Sequence, residues 1–422
     1  MDPGKSGSLI YHPITPTQPS LNTWLMSVAA IWSSQNKISQ NYTDLIDDVR
    51  KTNPVHLNVF GDLVVMDYKN VKKIFADSEN FQNFDFKERF KVVSAIANND
   101  PALLEFGESL RHWLLFMNGE AHAEHRKMVN RKFYEANYEA ITMDAIQEVI
   151  SEYQDREEAD LVEITRKFSF LIISKIIGLK SEDYDFIQKF SYVITLIFEK
   201  TLNVKDLLEC AHMSRQFRSY LGETLSRQEK ALTNSLLLEM QEVMGSHRVN
   251  DLIGTWEFLV NAATETTTLL LTRSIATLIE HRNKAINWNA HDGCAIAVEE
   301  LIRYVSPVNW IPRQVKEDME FAGLQLKKGK TVLLGIASAN RDPDIFQNPE
   351  TFIPTRKPNP HIGFGFGIHH CMGARLSRFE MQKFLPRFMA AFPNIRLHPD
   401  KPGEWDSKVF FRGHKRLPVL LK

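Results

Sequence analysis

The rhythm of apolar and polar positions changes several times along the chain. In "VHLNVFGDLVVMDY" (55–68) short β-branched runs flank Gly61 and Asp62, which predicts a hairpin. The following "KNVKKIFAD" returns to helical spacing. From about 120 to 285 the pattern is almost entirely helical and poor in proline. Strand-like pieces reappear over 308–336, including "VKEDMEFAGLQLKKGKTVLLGI". One segment, "VNDLIGTWEFLVNAATETTTLLLTRSIATLIEH" (249–281), has no proline, a cap candidate in Asn250 or Asp251, and enough length to cross a whole domain. Its middle is polar: Asn261, Thr264, Glu265, Thr266 and Thr267 interrupt apolar flanks. A buried polar group without a partner costs about 1–3 kcal/mol, so this stretch is either a solvent-facing stripe or a notch facing a cavity. The expected fold class is mainly α with small β-sheets (α+β).

With 422 residues, 43% of them hydrophobic, the chain can bury a large core. No repeat or flexible linker divides it, so the expected organisation is an N-terminal extension over 1–40 and a single large domain over 41–422. Lys and Arg number 51 against 52 Asp and Glu, for a net charge of −1, and this balance argues against nucleic-acid binding. Three widely spread cysteines, Cys210, Cys294 and Cys371, argue against a disulfide framework and for a reducing, cytoplasmic setting. "WLMSVAAIW" (24–32) is shorter than the roughly 20 apolar residues that a membrane span needs, and it lacks the marks of a signal peptide.

The stretch "FGFGIHHCMG" (364–373) concentrates candidate chemistry. His369, His370 and Cys371 are consecutive, and their side chains diverge where a zinc site needs convergence. Gly363, Gly365 and Gly367 form only a weak glycine pattern, without the βαβ unit of a dinucleotide site. A plain glycine turn before a helix, with an inert cysteine, is one remaining reading. The other is a loop that offers one thiolate to a large flat cofactor. Glycines would clear the space, Phe364 would shield the sulfur, and a helix starting near Met372 would favour the anion.

The pattern F-x-x-G-x-x-x-C-x-G, here Phe364, Gly367, Cys371 and Gly373, resembles the haem-binding loop of the cytochrome P450 superfamily, and the resemblance runs from about residue 45 to the C-terminus. It implies haem b (iron protoporphyrin IX) with Cys371 as the iron ligand. His122 and Arg126 in "EAHAEHRKM", Arg313 in "WIPRQ", and His369 match the family's propionate contacts. His125 and His370 are left as surface or packing residues. Glu300 and Arg303 of "VEELIRYVSP", with Arg356 of "FIPTR", match the family's E-x-x-R and its later arginine, which implies a buried ion network. "AATETT" is similar to the family's A-G-x-D/E-T stretch, with Glu265 as proton relay and Thr266 as the alcohol that steadies bound oxygen. Ala262 and Thr266 stand one turn apart, so the hydroxyl can bond the carbonyl of Ala262. Ala263 replaces the usual glycine, and its methyl narrows that groove.

The activity implied is a monooxygenase that places one atom of O2 into an apolar or amphipathic organic substrate, as in hydroxylations of secondary metabolism. Electrons would come from NAD(P)H through a separate ferredoxin or flavodoxin, docking by Arg131, Lys132, Arg375 and Arg378. By resemblance, substrate contacts fall on 85–118, the stretch near 190, Phe258, Ala262, Val308, Asn309, Trp310, Val409 and Phe410. Asn261 or Asn309 could orient a polar group of the substrate. A peroxide-driven or nitric-oxide-reducing relative stays open, as does a non-catalytic haem-binding recruitment module. The Glu265 and Thr266 pair favours oxygen activation, and the presence of Cys371 counts against the last.

Overall fold

The structure is a computed structural model that describes residues 36–84, 87–97, 99–135, 137–199, 203–226, 240, 249–284, 286–288 and 292–422. In chain order it runs α1 (Asn36–Thr52), β1 (Val55–Leu57), β2 (Leu63–Val65), α2 (Tyr68–Ala76), β3 (Phe81–Gln82), α3 (Lys87–Ile96), α4 (Pro101–Leu110), α5 (Gly119–Glu135) and α6 (Tyr138–Tyr153). Then follow β4 (Glu158–Asp160), α7 (Leu161–Ile177), α8 (Tyr184–Ile194), a 3-10 turn (Thr195–Phe198), α9 (Val204–Ser226), α10 (Val249–Glu280) and α11 (Gly293–Val305). The last part holds β5 (Trp310–Val315), β6 (Met319–Phe321), β7 (Leu324–Leu326), β8 (Thr331–Gly335), α12 (Ile336–Ala339), α13 (Ala374–Ala391), β9 (Arg396–Leu397), β10 (Glu404–Trp405), β11 (His414–Arg416) and β12 (Pro418–Leu420).

Local chemistry sets many of these ends. Asp67, Asp100 and Asp160 cap α2, α4 and α7 by accepting from Asn70 N, Ala102 N and Val162 N. Gly178 closes α7 with a φ of 81°, where a side chain would be strained. The hairpin expected at Gly61 and Asp62 forms, but its connection spans residues 58–62. There the Asn58 side chain accepts from Phe60 N and Asp62 N, and Gly61 has a φ of 75°. The main sheet has the order β1-β2-β8-β5-β3, with β2 parallel to β8 and the other pairs antiparallel. β4 interrupts the region that reads as all helix, and it pairs with the closing strand β12, a partner 258 positions later that local pattern cannot reveal. The expected boundary at 40/41 falls inside α1, which starts at Asn36; residues 1–35 lie outside the described part. Among the described residues no helix is long and apolar enough to cross a membrane.

α10 is the axis of the fold. Its 32 residues span about 48 Å at 1.5 Å per residue, and it packs against α7, α8, α11 and α13. Helix begins at Val249, so Asn250 and Asp251 fall in the first turn rather than before it, and Asp251 instead meets His112 Nδ1 at 2.6 Å. The polar middle of this helix divides between faces. Asn261 donates to Ser191 O at 2.8 Å, Thr264 to Ser191 Oγ at 2.6 Å, and Thr268 to Ser169 Oγ at 3.2 Å. Thr272 meets Thr165 at 2.6 Å, so one stripe of α10 is stitched to α7 and α8 by satisfied hydrogen bonds.

Glu300, Arg303 and Arg356 do meet. Arg303 grips Glu300 through Nε (2.8 Å) and Nη2 (2.9 Å), and Arg356 Nε reaches the same carboxylate at 2.9 Å. Ile353 N and Asn359 Nδ2 complete the carboxylate, while the guanidinium groups bond the carbonyls of Asn340, Gln347, Asn348, Pro349 and Thr351. Glu300 and Arg303 are fully buried. Removing one partner from such a network leaves an uncompensated buried charge. Glu300→Ala or Arg356→Ala is therefore expected to lower unfolding stability in urea by about 3–5 kcal/mol.

Candidate functional site

Residues 363–373 fold into a tight loop before α13. Cys371 N donates to Phe364 O at 2.9 Å, and Gly365 and Gly367 have φ of 71° and 75°. At Gly367 a Cβ would lie 2.4 Å from Phe75 O, so the loop can rest against the end of α2 only with glycine there. Gly373 precedes the first residue of α13, and a Cβ on it would stand 3.9 Å from the Cys371 sulfur. Phe364 packs on the main core, with the Arg378 guanidinium 4.7 Å over its ring. Burial raises the Cys371 thiol above its ordinary pKa. The amides of Gly373 and Ala374 and the charges of Arg126 and Arg378 act the other way. Cys371 keeps accessible surface, although it lies deep in the protein.

Basic groups gather beside it. The His122 and His369 rings lie 4.0 Å apart, and Arg126 Nη2 donates to His370 O, one residue before the cysteine. Arg313, buried on β5, lies over Phe75 at 5.1 Å and donates to Pro312 O. Burial, together with repulsion from Arg126 and His125, pushes His122 down to about 4. Burial, with His122, Arg313 and Arg126 adding to it, pushes His369 down to about 2. Burial pushes Arg313 down to about 10. No described carboxylate offsets any of the three. His122 Nε2 is buried without a hydrogen-bond partner, while His369 has Asn83 Nδ2 at 2.7 Å from its Nε2. His125, near enough to repel His122, ties α5 to α10 through Thr255 Oγ1 at 2.7 Å.

A second face of α10 borders accessible space. Phe258, Ala262, Ala263, Thr266 and Thr267 are half-exposed in the middle of an otherwise buried helix, at the spacing of one stripe. Thr266 Oγ1 donates to Ala262 O at 2.6 Å. Glu265 turns elsewhere: its carboxylate meets the buried Lys408 Nζ at 3.1 Å. Glu257 is also buried, held by Ser109 of α4, Ser214 of α9 and Trp113 Nε1, and burial raises its pKa.

The remaining expected contacts have mixed surroundings. Phe258 lies 5.9 Å from Trp113, and Val308 bridges to Phe411. The Asn309 side chain donates to Val409 O at 3.0 Å, its N–H to Phe410 O, and its carbonyl accepts from Ile336 N. Asn261 and Asn309 therefore have their side-chain amides engaged with backbone. Trp310 is core, donating from Nε1 to Tyr42 OH at 2.7 Å. Val409 N and Phe410 N both donate to the Glu199 carboxylate. Arg375 and Arg378 lie beside a surface cavity of about 640 Å³, and Arg131 beside another of about 670 Å³; the side chain of Lys132 is outside the described part. Lys408, Glu199, Thr195 and Asn83 were not found by sequence reasoning, because no fixed spacing links them to their partners. Among the described residues no group of three or more His, Cys, Asp or Glu could hold a metal ion, so the three consecutive residues 369–371 are not a chelating cluster.

The family model described as Cytochrome P450 matches residues 295–412. A polyketide biosynthesis cytochrome P450 of Bacillus subtilis is 32% identical over 71% of this chain and 75% of its own length. The chain belongs to the cytochrome P450 family. Mycinamicin IV hydroxylase/epoxidase of Micromonospora griseorubida is 29% identical, over 85% of this chain and 89% of the relative. The crystal structure of CYP109E1 from Bacillus megaterium in complex with testosterone superposes with a TM-score of 0.79 at 26% identity, covering 92% of this chain and 100% of that one. The chain is accordingly an oxidoreductase of the cytochrome P450 monooxygenase type.

The family implies a haem-thiolate cofactor, and the residues here fit one. Such a group carries two carboxylates and takes one thiolate. Beside an accessible thiol the chain holds His122, His369 and Arg313 with no acid among them, and an orphaned ring nitrogen on His122.

The Glu199 clamp gives a pH prediction. Burial raises this carboxyl to about 6 from an ordinary 4.5, outweighing its two backbone donors, so the folded state binds its proton more tightly than the unfolded chain. Stability contributed by this group is thus greatest below about 4.5 and falls as pH rises through 6, by roughly 2 kcal/mol at most. Urea unfolding from pH 5 to 7 should show a shallower decline in Glu199→Gln than in the native protein.

Proposed function

We propose that this cytochrome P450 inserts one oxygen atom of O2 into an apolar or amphipathic organic substrate, with Cys371 as the thiolate ligand of haem b. The overall reaction is RH + O2 + NAD(P)H + H⁺ → ROH + H2O + NAD(P)⁺. The observation that carries the reading is the gathering of His122, Arg313 and His369, uncompensated by acid, beside an accessible cysteine at the start of α13.

His122, Arg126, Arg313 and His369 would hold the two propionates, and the glycines of the loop leave room for the macrocycle beside the sulfur. Phe364 shields that sulfur, and the amides of Gly373 and Ala374 favour its anion. When bound, the haem supplies the iron centre at which dioxygen is activated. The chain contributes positioning and protons. Thr266 borders the accessible stripe of α10 and donates its hydroxyl proton to Ala262 O, a proton it could instead offer on the side where the haem would activate dioxygen. Glu265, the next residue back, is the proton carrier behind it.

The substrate lies along Phe258 and Ala262, with Val308, Asn309, Trp310, Val409 and Phe410 forming the wall opposite. In that wall Trp310 and Phe410 act as packed supports rather than exposed contacts. Relatives named for polyketide biosynthesis and for hydroxylation or epoxidation of mycinamicin IV support an organic substrate from secondary metabolism. Electrons arrive from NAD(P)H through a ferredoxin or flavodoxin. Arg131, Arg375 and Arg378 supply positive charge for its docking on the cysteine side; the fourth cation expected there, Lys132, has its side chain outside the described part.

Screening apolar compounds for displacement of iron-bound water identifies the substrate by its absorption change. Turnover under ¹⁸O2 should then place one labelled atom in the product; label drawn from water instead would overturn the reading. Thr266→Ala is expected to retain haem and substrate binding while most reducing equivalents emerge as hydrogen peroxide, measured per NAD(P)H consumed.

A further inference from the structure

Lys408 is 4% exposed, Glu265 is 7% exposed, and their contact is 3.1 Å long, which makes this a buried ion pair on the central helix. The ammonium is otherwise satisfied: Nζ donates to Thr195 Oγ1 at 2.6 Å and lies 3.7 Å over the Tyr192 ring. Successive residues of a helix point about 100° apart, so Thr266 borders the accessible stripe while Glu265 is turned to the side where Lys408 waits. No hydrogen bond joins Glu265 to Thr266.

Around Lys408 the C-terminal segment 406–410 is fastened to the 192–199 segment at several points. Glu199 accepts from Val409 N and Phe410 N, and Thr195 accepts from Lys408. The aromatic rings of Phe198 and Phe411 stand 5.1 Å apart on the same seam. The position of Glu265 is therefore tied to two chain segments that sequence analysis places around the substrate.

We propose that Lys408 is the positioning residue for Glu265: it holds the carboxylate in register with the 192–199 segment, and so sets how reliably a proton reaches the oxygen side of the site. The inference rests on the reading of Glu265 as proton carrier. An unpaired buried carboxylate has no fixed place, and a proton that arrives late allows hydrogen peroxide to leave.

The test needs no organic substrate. Ferric holoprotein, NADPH, a plant ferredoxin and its reductase consume O2 by two routes: O2 + NADPH + H⁺ → H2O2 + NADP⁺, or O2 + 2 NADPH + 2 H⁺ → 2 H2O + 2 NADP⁺. Lys408→Met is expected to raise peroxide per NADPH several-fold, and Lys408→Arg to restore most of the native ratio. Lys408→Met/Glu265→Gln should match Glu265→Gln alone. Urea unfolding of the same holoproteins supplies a readout apart from turnover, in which the double variant should lose no more than the worse single one. Lys408→Met with a native ratio beside a shifted Glu265→Gln, or fully additive losses, would overturn the assignment of Lys408. A native ratio in Glu265→Gln would instead overturn the underlying role of Glu265, even where the unfolding cycle shows the pair to be coupled.

Discussion

Buried positive charge is tolerated only where something negative meets it, and that constraint governs the site. His122 and Arg126 come from α5, Arg313 from β5 and His369 from the cysteine loop, so the fold brings together residues nearly 250 positions apart. Burial pushes His122, His369 and Arg313 below their ordinary pKa values, and neighbouring positive charge adds to it at the two histidines, with no described acid in opposition. A dianionic group next to a thiolate ligand resolves both features at once. The glycine turns, the start of α13 at Ala374 and the contact of the loop with α2 fix the position of Cys371.

The central helix meets the same demand with neutral groups. Thr264, Thr268 and Thr272 on one stripe bond hydroxyl or backbone partners, which lets a polar stretch run through a core without leaving donors unmatched. That leaves the Ala262 to Thr266 face as the part of the helix middle that keeps accessible surface. Of the acids in the middle of the helix, Glu265 is held by Lys408 and Glu257 by two serines.

Local pattern made much of this legible. The length of α10, the hairpin at Gly61 and the strands around 310–335 follow from spacing, whereas the network of Glu300, Arg303 and Arg356 was implied only by the family resemblance. The long-range choices were hidden. β4 is specified by its pairing with β12, and the cap expected at Asn250 or Asp251 gave way to a hydrogen bond between Asp251 and His112. Asn261 and Asn309 looked like polar groups available to a ligand, yet their amides serve backbone carbonyls contributed by Ser191 and Val409. Lys408 lies in "DSKVFFRG", where nothing marks it as the partner of a residue 143 positions earlier.

The central claim is that Cys371, as a thiolate, is the protein's ligand to the haem iron. The most direct measurement is the absorption spectrum of the dithionite-reduced, haem-loaded protein under carbon monoxide. Thiolate ligation by Cys371 predicts a strongly red-shifted Soret band that is lost in Cys371→Ala. A folded, haem-loaded native protein that gave only the unshifted band, or a Cys371→Ala variant that kept the shifted one, would contradict the account.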